Sequence, residues 1–209
     1  MTKTVTRLFD NFAEAQAAVG ELEAMGIPHA DISVVASNAD GAHAHRGPLA
    51  REDTAREGGE DAGKGAVIGG SLGAAGGLLA GLGLLAIPGL GPVVAAGWLV
   101  STGVGALVGA AAGGATGGLV GALTHAGVDE KDAHVYAEGV RRGGSLVSAR
   151  VDDAHYAQAE AALRRFHAVD AATRGRAYRA NGWSSFDPAA PPDSADEVAR
   201  ERNTYTPRI

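Results

Sequence analysis

No cysteine occurs in the chain. Disulfides, thiolate metal sites and cysteine nucleophiles are therefore excluded, while the redox compartment stays open. Aromatic residues are 5% of the total, so any core must be built mainly from small aliphatic side chains. Positive charge is also in short supply. Eighteen Lys and Arg face 24 Asp and Glu, a net charge of −6, which argues against a nucleic-acid partner. The opening "MTKTVTRLFDNFAEAQ" lacks the apolar run of a signal peptide, and a cytoplasmic start is expected.

Glycine, by contrast, is abundant, at 32 of 209 residues. Much of it lies in two uncharged runs, 65–87 and 93–124, separated by "PGLGP". Pro88 and Pro92 cannot continue a helix interior, and the intervening glycines allow a tight reversal. Within the first run Gly65, Gly69, Gly73, Gly77 and Gly81 recur every four residues, and in the second Gly105, Gly109, Gly113, Gly117 and Gly121 do the same. At helical spacing the glycines of the first run share one face, with Val67, Ile68, Leu72, Leu78, Leu79, Leu82 and Leu85 opposite, and most of those in the second run do likewise. Glycine costs a helix about 0.8–1.0 kcal/mol relative to alanine, so so many of them call for a reason. Rows of small residues let helix backbones approach closely, and the pattern predicts a glycine-zipper helical hairpin over 64–127.

At 1.5 Å per residue the first arm would span roughly 35 Å, enough for a hydrocarbon core of about 30 Å. Trp98 lies near the turn, where an interfacial aromatic would sit, and basic residues flank the hairpin while its turn is uncharged. The expectation is a hairpin that inserts in or assembles on a cytoplasmic membrane as a homo-oligomer, with both flanks inside; the alternative is burial against neighbouring copies in a soluble ring, shell or filament.

Around the insert, the sequence reads as two halves of one domain. Val5–Phe9 is β-prone, Asp10 or Asn11 can cap a helix from Phe12 to Met25, and Asp31–Ala36 reads as a buried strand. The order repeats as strand Leu146–Val151, a helix bearing Tyr156, Ala159, Leu163 and Phe166, and a closing strand Val169–Thr173. Another helix follows Asp129 and ends at Arg141 and Arg142, the charge order a helix prefers. The expected class is α+β, a ferredoxin-like split β-α-β sandwich with halves 1–37 and 128–175, a polar linker 38–63, and a polar, flexible tail 176–209. Trp183, Phe186 and Tyr205 give that tail a means of docking on a neighbour.

The segments "RLFDNFAEAQAAVGELEAMGI", "DISVVA" and "AGVDEKDAHVYAEGVRRGGSLVSARVDD" resemble the bacterial general-stress (heat-induced stress) protein domain. The likeness extends over residues 4–175 and is strongest to longer, low-temperature-induced relatives that carry a glycine-rich insert. It implies stress-associated expression, and it carries no catalytic motif from which functional residues could transfer.

Chemistry is sparse. His43 and His45 have no third ligand nearby for a metal. His134 with Glu138, and Asp132 with Tyr136, read as solvated pairs on a helix surface. "GGSLGAAGG" lacks the ending of a phosphate loop and the second half of a nucleophile elbow. Arg141, Arg142, Arg164 and Arg165 offer a local anionic-surface contact. The expectation is a non-enzymatic, stress-associated homo-oligomer without cofactor, metal or catalytic site. A ligand sensor or enzyme built on the sandwich is the third reading.

Overall fold

The computed structural model describes residues 2–41, 83–87, 89–99 and 118–205. These residues form a mixed α/β structure with a five-stranded antiparallel sheet and six α-helices. The strands are β1 (Thr2–Phe9), β2 (Ile32–Ser37), β3 (Gly83–Ile87), β4 (Gly91–Gly97) and β5 (Ser145–Asp152). The helices are α1 (Phe12–Ala24), α2 (Leu119–His125), α3 (Glu130–Arg141), α4 (Tyr156–Arg165), α5 (Ala171–Ala180) and α6 (Ala195–Tyr205).

The sheet order is β1-β5-β2-β4-β3. Antiparallel β5 lies between β1 and β2, so these two run in the same direction and α1 joins them as a split crossover. After β5, α4 returns the chain to the far side of β1. There Val169 and Leu8 exchange both backbone hydrogen bonds, at 2.7 and 3.1 Å. The closing strand expected over Val169–Thr173 is reduced to this single bridge. The Asp170 side chain instead accepts from Thr173 N at 2.7 Å and starts α5.

Period-two alternation gives β1, β2, β4 and β5 two buried faces. Val5, Phe9, Val34, Val147 and Ala149 pack against α1 and α4, with Val19, Leu22 and Leu163. Leu8, Val35, Val93 and Leu146 face the other way, toward Val135, Val140, Leu123 and Tyr178 of α3, α2 and α5. This second face also carries hydroxyls. Thr6 and Ser148 bond at 3.0 Å, and Tyr136 donates to Thr6 O at 2.8 Å. Burial is the chief cause of the Tyr136 phenol being pushed up to about 12.

Two helices, α1 and α3, start where expected, whereas α4 starts after His155 and not at Asp152 or Asp153. Asn11 Oδ1 accepts from Ala13 N, and Asp129 Oδ1 accepts from Lys131 N, at 2.8 and 2.9 Å.

Residues 83–97 correct the helical-hairpin reading. "PGLGP" does reverse the chain, with Gly89 and Gly91 both at φ 76°, but it joins two strands. Val93 and Ala95 enter one core while Val94 and Ala96 enter the other. A strand buried on both faces is a continuous apolar run, which apolarity alone does not distinguish from a buried helix. What decides is the partner. Pairing with β4 satisfies the edge of β2 from Ser33 to Ser37. Leu90 is 1% exposed, inside the domain and not at an outer tip. Trp98 is buried too, donating to Asp31 O at 3.1 Å beneath the Arg150 guanidinium. Among the described residues no helix is long and apolar enough to cross a membrane.

The tail is also corrected. Residues 176–205 continue through α5 and α6, with Tyr178, Phe186 and Val198 all buried. Pro188 and Pro192 lie over the glycines of the β3–β4 turn, so close that a Cβ added at Gly89 would come within 2.7 Å of Pro188 Cα.

Candidate functional site

Of the helix-packing glycines, Gly65, Gly69, Gly73, Gly77, Gly81, Gly105, Gly109, Gly113 and Gly117 lie outside the described residues, as do Pro88, His43 and His45. Gly121 is half-buried in α2. Pro92 lies in β4, opposite Ala86, and its carbonyl accepts from Asn38 N at 2.8 Å. Two other described glycines, both inside helices, are packed closely. Gly139 of α3 faces Leu8, and Gly175 of α5 faces Val135. Their missing side chains let α3 approach the sheet and α5 approach α3.

The arginines at the end of α3 do not form an open cationic surface. Glu138 is 1% exposed and holds both: Arg141 through Nε at 3.0 Å and Nη2 at 2.5 Å, and Arg142 through Nε at 2.6 Å. Arg141 then reaches Asp193 at 2.6 Å and Arg142 reaches Glu201 at 3.3 Å, fastening the C-terminal segment to α3. Arg202 adds a pair with Asp40 and donates to Gly143 O. Burial alone would raise the Glu138 pKa, but hydrogen bonds and charge from the two arginines outweigh it and hold the carboxyl below its ordinary range. The expected solvated pair of His134 with Glu138 does not form; His134 Nδ1 is buried without a partner among the described residues. Arg164 and Arg165 pair with Glu160 and Glu21, each at 2.8 Å.

A cavity of about 260 Å³ opens where the start of α1, the first turns of α5 and the end of α6 converge. Arg174 stands in its wall, 3% exposed, and Nη2 donates to Asp10 Oδ2 at 2.6 Å. The Tyr205 ring stacks on the guanidinium, with Cζ 3.9 Å from its centroid. Across the cavity His167, at φ 60°, sets Nδ1 3.1 Å from Glu14 Oε1. Val169 and Ala177 supply apolar wall. Burial is the largest influence on Arg174 and opposes its charge, but Asp10 and the two tyrosines offset it and the net shift is upward. Asp10, Glu14 and Arg174 leave the lining one negative charge in excess when His167 is neutral.

The cavity offers charged donors and acceptors beside an apolar wall, an arrangement suited to recognition. The Thr173 hydroxyl bonds to Asp170 at 3.2 Å. Among the described residues no cluster of three His, Asp or Glu is placed to hold a metal ion. Nothing in the sequence reading singled out Arg174. The available signal was Asp170, a capping residue four positions earlier, which would have turned "DAATRGRAY" into a helix with Arg174 on its inner face. Comparisons of the chain with known protein families, curated proteins and solved structures gave no match.

Proposed function

We propose that this is a non-enzymatic, stress-associated protein that assembles with copies of itself through its glycine-rich segments. The observation that carries the reading is the pairing of Gly83 with Ala95 in the β3–β4 hairpin. The chain enters β3 and leaves β4 at the same end of the hairpin, with one glycine-rich run preceding Gly83 in sequence and the other following Leu99. Each carries small residues at four-residue spacing, suited to close contact between copies. The frame that holds them is best read as ferredoxin-like: β1, α1, β2, β5 and α4 follow its split β-α-β order, with Val169 as a vestige of the last strand and β3–β4 added beyond β2. Stress association rests on the sequence resemblance.

Placement of Leu90 and the β3–β4 turn beneath the C-terminal segment favours the soluble assembly over a hairpin whose turn crosses a bilayer. The uncharged run 65–82 supports membrane attachment as the second reading. Light scattering on the full chain without detergent tests the proposal. A defined oligomer is expected, reduced to smaller species by Gly73→Leu or Gly113→Leu. Monomeric wild-type protein, or variants that assemble normally, would refute it. Recovery in carbonate-washed membranes would instead select the second reading.

A further inference from the structure

We propose that the cavity between α1, α5 and α6 is a binding site for a small zwitterion of the free α-amino-acid class. The ligand carboxylate is received by Arg174, and its ammonium by Asp10 and Glu14.

The donor and acceptor inventory carries the argument. Arg174 has five N–H groups in a fixed fork. Among the described residues its hydrogen bond to protein runs from one Nη2 hydrogen to Asp10, leaving the Nε hydrogen, both on Nη1 and the second on Nη2, so that one two-pronged edge stays open. The side chain is 3% exposed and lines the cavity, so these donors are open there to a ligand or to water. A planar carboxylate is the natural complement of that fork. Acceptors are in surplus as well. Asp10 uses Oδ2 for Arg174 and Glu14 uses Oε1 for His167, which leaves Asp10 Oδ1 and Glu14 Oε2.

A simple anion would satisfy Arg174 but meet two carboxylates in a lining that is already net negative. A simple cation would satisfy the carboxylates but meet the positive charge of Arg174. A molecule with both charges, set a few ångströms apart, answers both surpluses at once. Size agrees. About 260 Å³ lies just below the usual range for drug-sized ligands, roughly 300–1,000 Å³, and suits a single amino acid. Val169 and Ala177 would meet an apolar side chain. Tyr205 comes from the last turn of α6, so the occupied site would include the docked C-terminal segment.

Calorimetry on the full-length protein tests this with three probes. Leucine carries both charges, isovalerate lacks the amine, and isoamylamine lacks the carboxylate. Leucine is expected to bind saturably, with Kd between about 10 µM and 1 mM, and each half-probe at least about tenfold more weakly. Glu14→Gln, at a partly exposed position, is expected to weaken leucine about tenfold. Ala177→Leu fills the cavity from a half-exposed helix position and is expected to abolish binding with Tm retained. If neither leucine nor any of the other common amino acids gives saturable heat at about 10 mM, the site does not exist as described. Isovalerate binding as tightly as leucine would make it an anion site, and isoamylamine doing so would make it a cation site; either result overturns the proposal. Unchanged leucine affinity in Ala177→Leu would place the binding elsewhere. Neither oligomer size nor carbonate extraction enters these readouts, so assembly can fail its own test without deciding this one.

Discussion

Gly97 lies directly against Ile32. A Cβ built on Gly97 would fall 2.2 Å from the Ile32 carbonyl oxygen, inside any real contact distance, and the residue has φ 92°. This is where β4 ends against β2, and so where the hairpin 83–97 is fixed to the rest of the sheet.

Gly97→Ala is therefore expected to cost more than the backbone strain alone, which is about 1–3 kcal/mol for a non-glycine residue held in such a region. Gly182 provides the control, since its φ is 83° and nothing lies within 4 Å of an added Cβ. Chemical denaturation of both variants should give the larger loss for Gly97→Ala. Equal losses would mean that the β4–β2 contact yields without penalty.

The Glu138 cluster predicts a signed pH dependence. Its folded carboxyl is held low, so the unfolded chain takes up a proton first as pH falls. Its contribution is fully present above the ordinary carboxylate range and is lost as pH drops through the folded value. Asp193 works in the opposite sense, because burial outweighs Arg141 and raises its pKa. Glu138→Gln is expected to lose about 2 kcal/mol at neutral pH and to flatten the acid limb of the stability profile. A profile parallel to wild type would remove Glu138 from the account.

Docking of the C-terminal segment depends on Val198, which is fully buried against Gly143. Val198→Asp places a charge there without a partner and should release α6. Hydrogen exchange is expected to rise in α6 and the β3–β4 turn while α1 and α4, on the other face of the sheet, keep their protection. Uniform loss across the molecule would instead show that both faces unfold as one unit.

Leu90 offers a clean probe of the turn because the chain has no cysteine of its own. Leu90→Cys, at a position 1% exposed, should react with a thiol reagent at least about a hundredfold more slowly than Ala86→Cys, which lies exposed on β3. Similar rates would mean that the turn opens to solvent and that the burial seen here is transient.

Local signals were sufficient for much of the frame. Val5–Phe9 falls within β1, Asn11 and Asp129 cap their helices, and Leu146–Val151 falls within β5, because alternation, capping and the helical period are properties of neighbouring residues. Arg141 and Arg142 were legible as a helix end, with Glu138 three and four residues before them on the same helix; that Asp193 and Glu201 join them was not, since those come from a segment whose composition reads as solvated. The cavity is non-local in the same way, bringing Asp10 and Arg174 together across most of the chain. For 83–97 the sequence determined an apolar run broken by a turn, and tertiary structure alone decided that it is a β-hairpin. The open edge of β2 supplies hydrogen bonds that a separate helix would not use, and two apolar layers lie ready to cover both faces of β4.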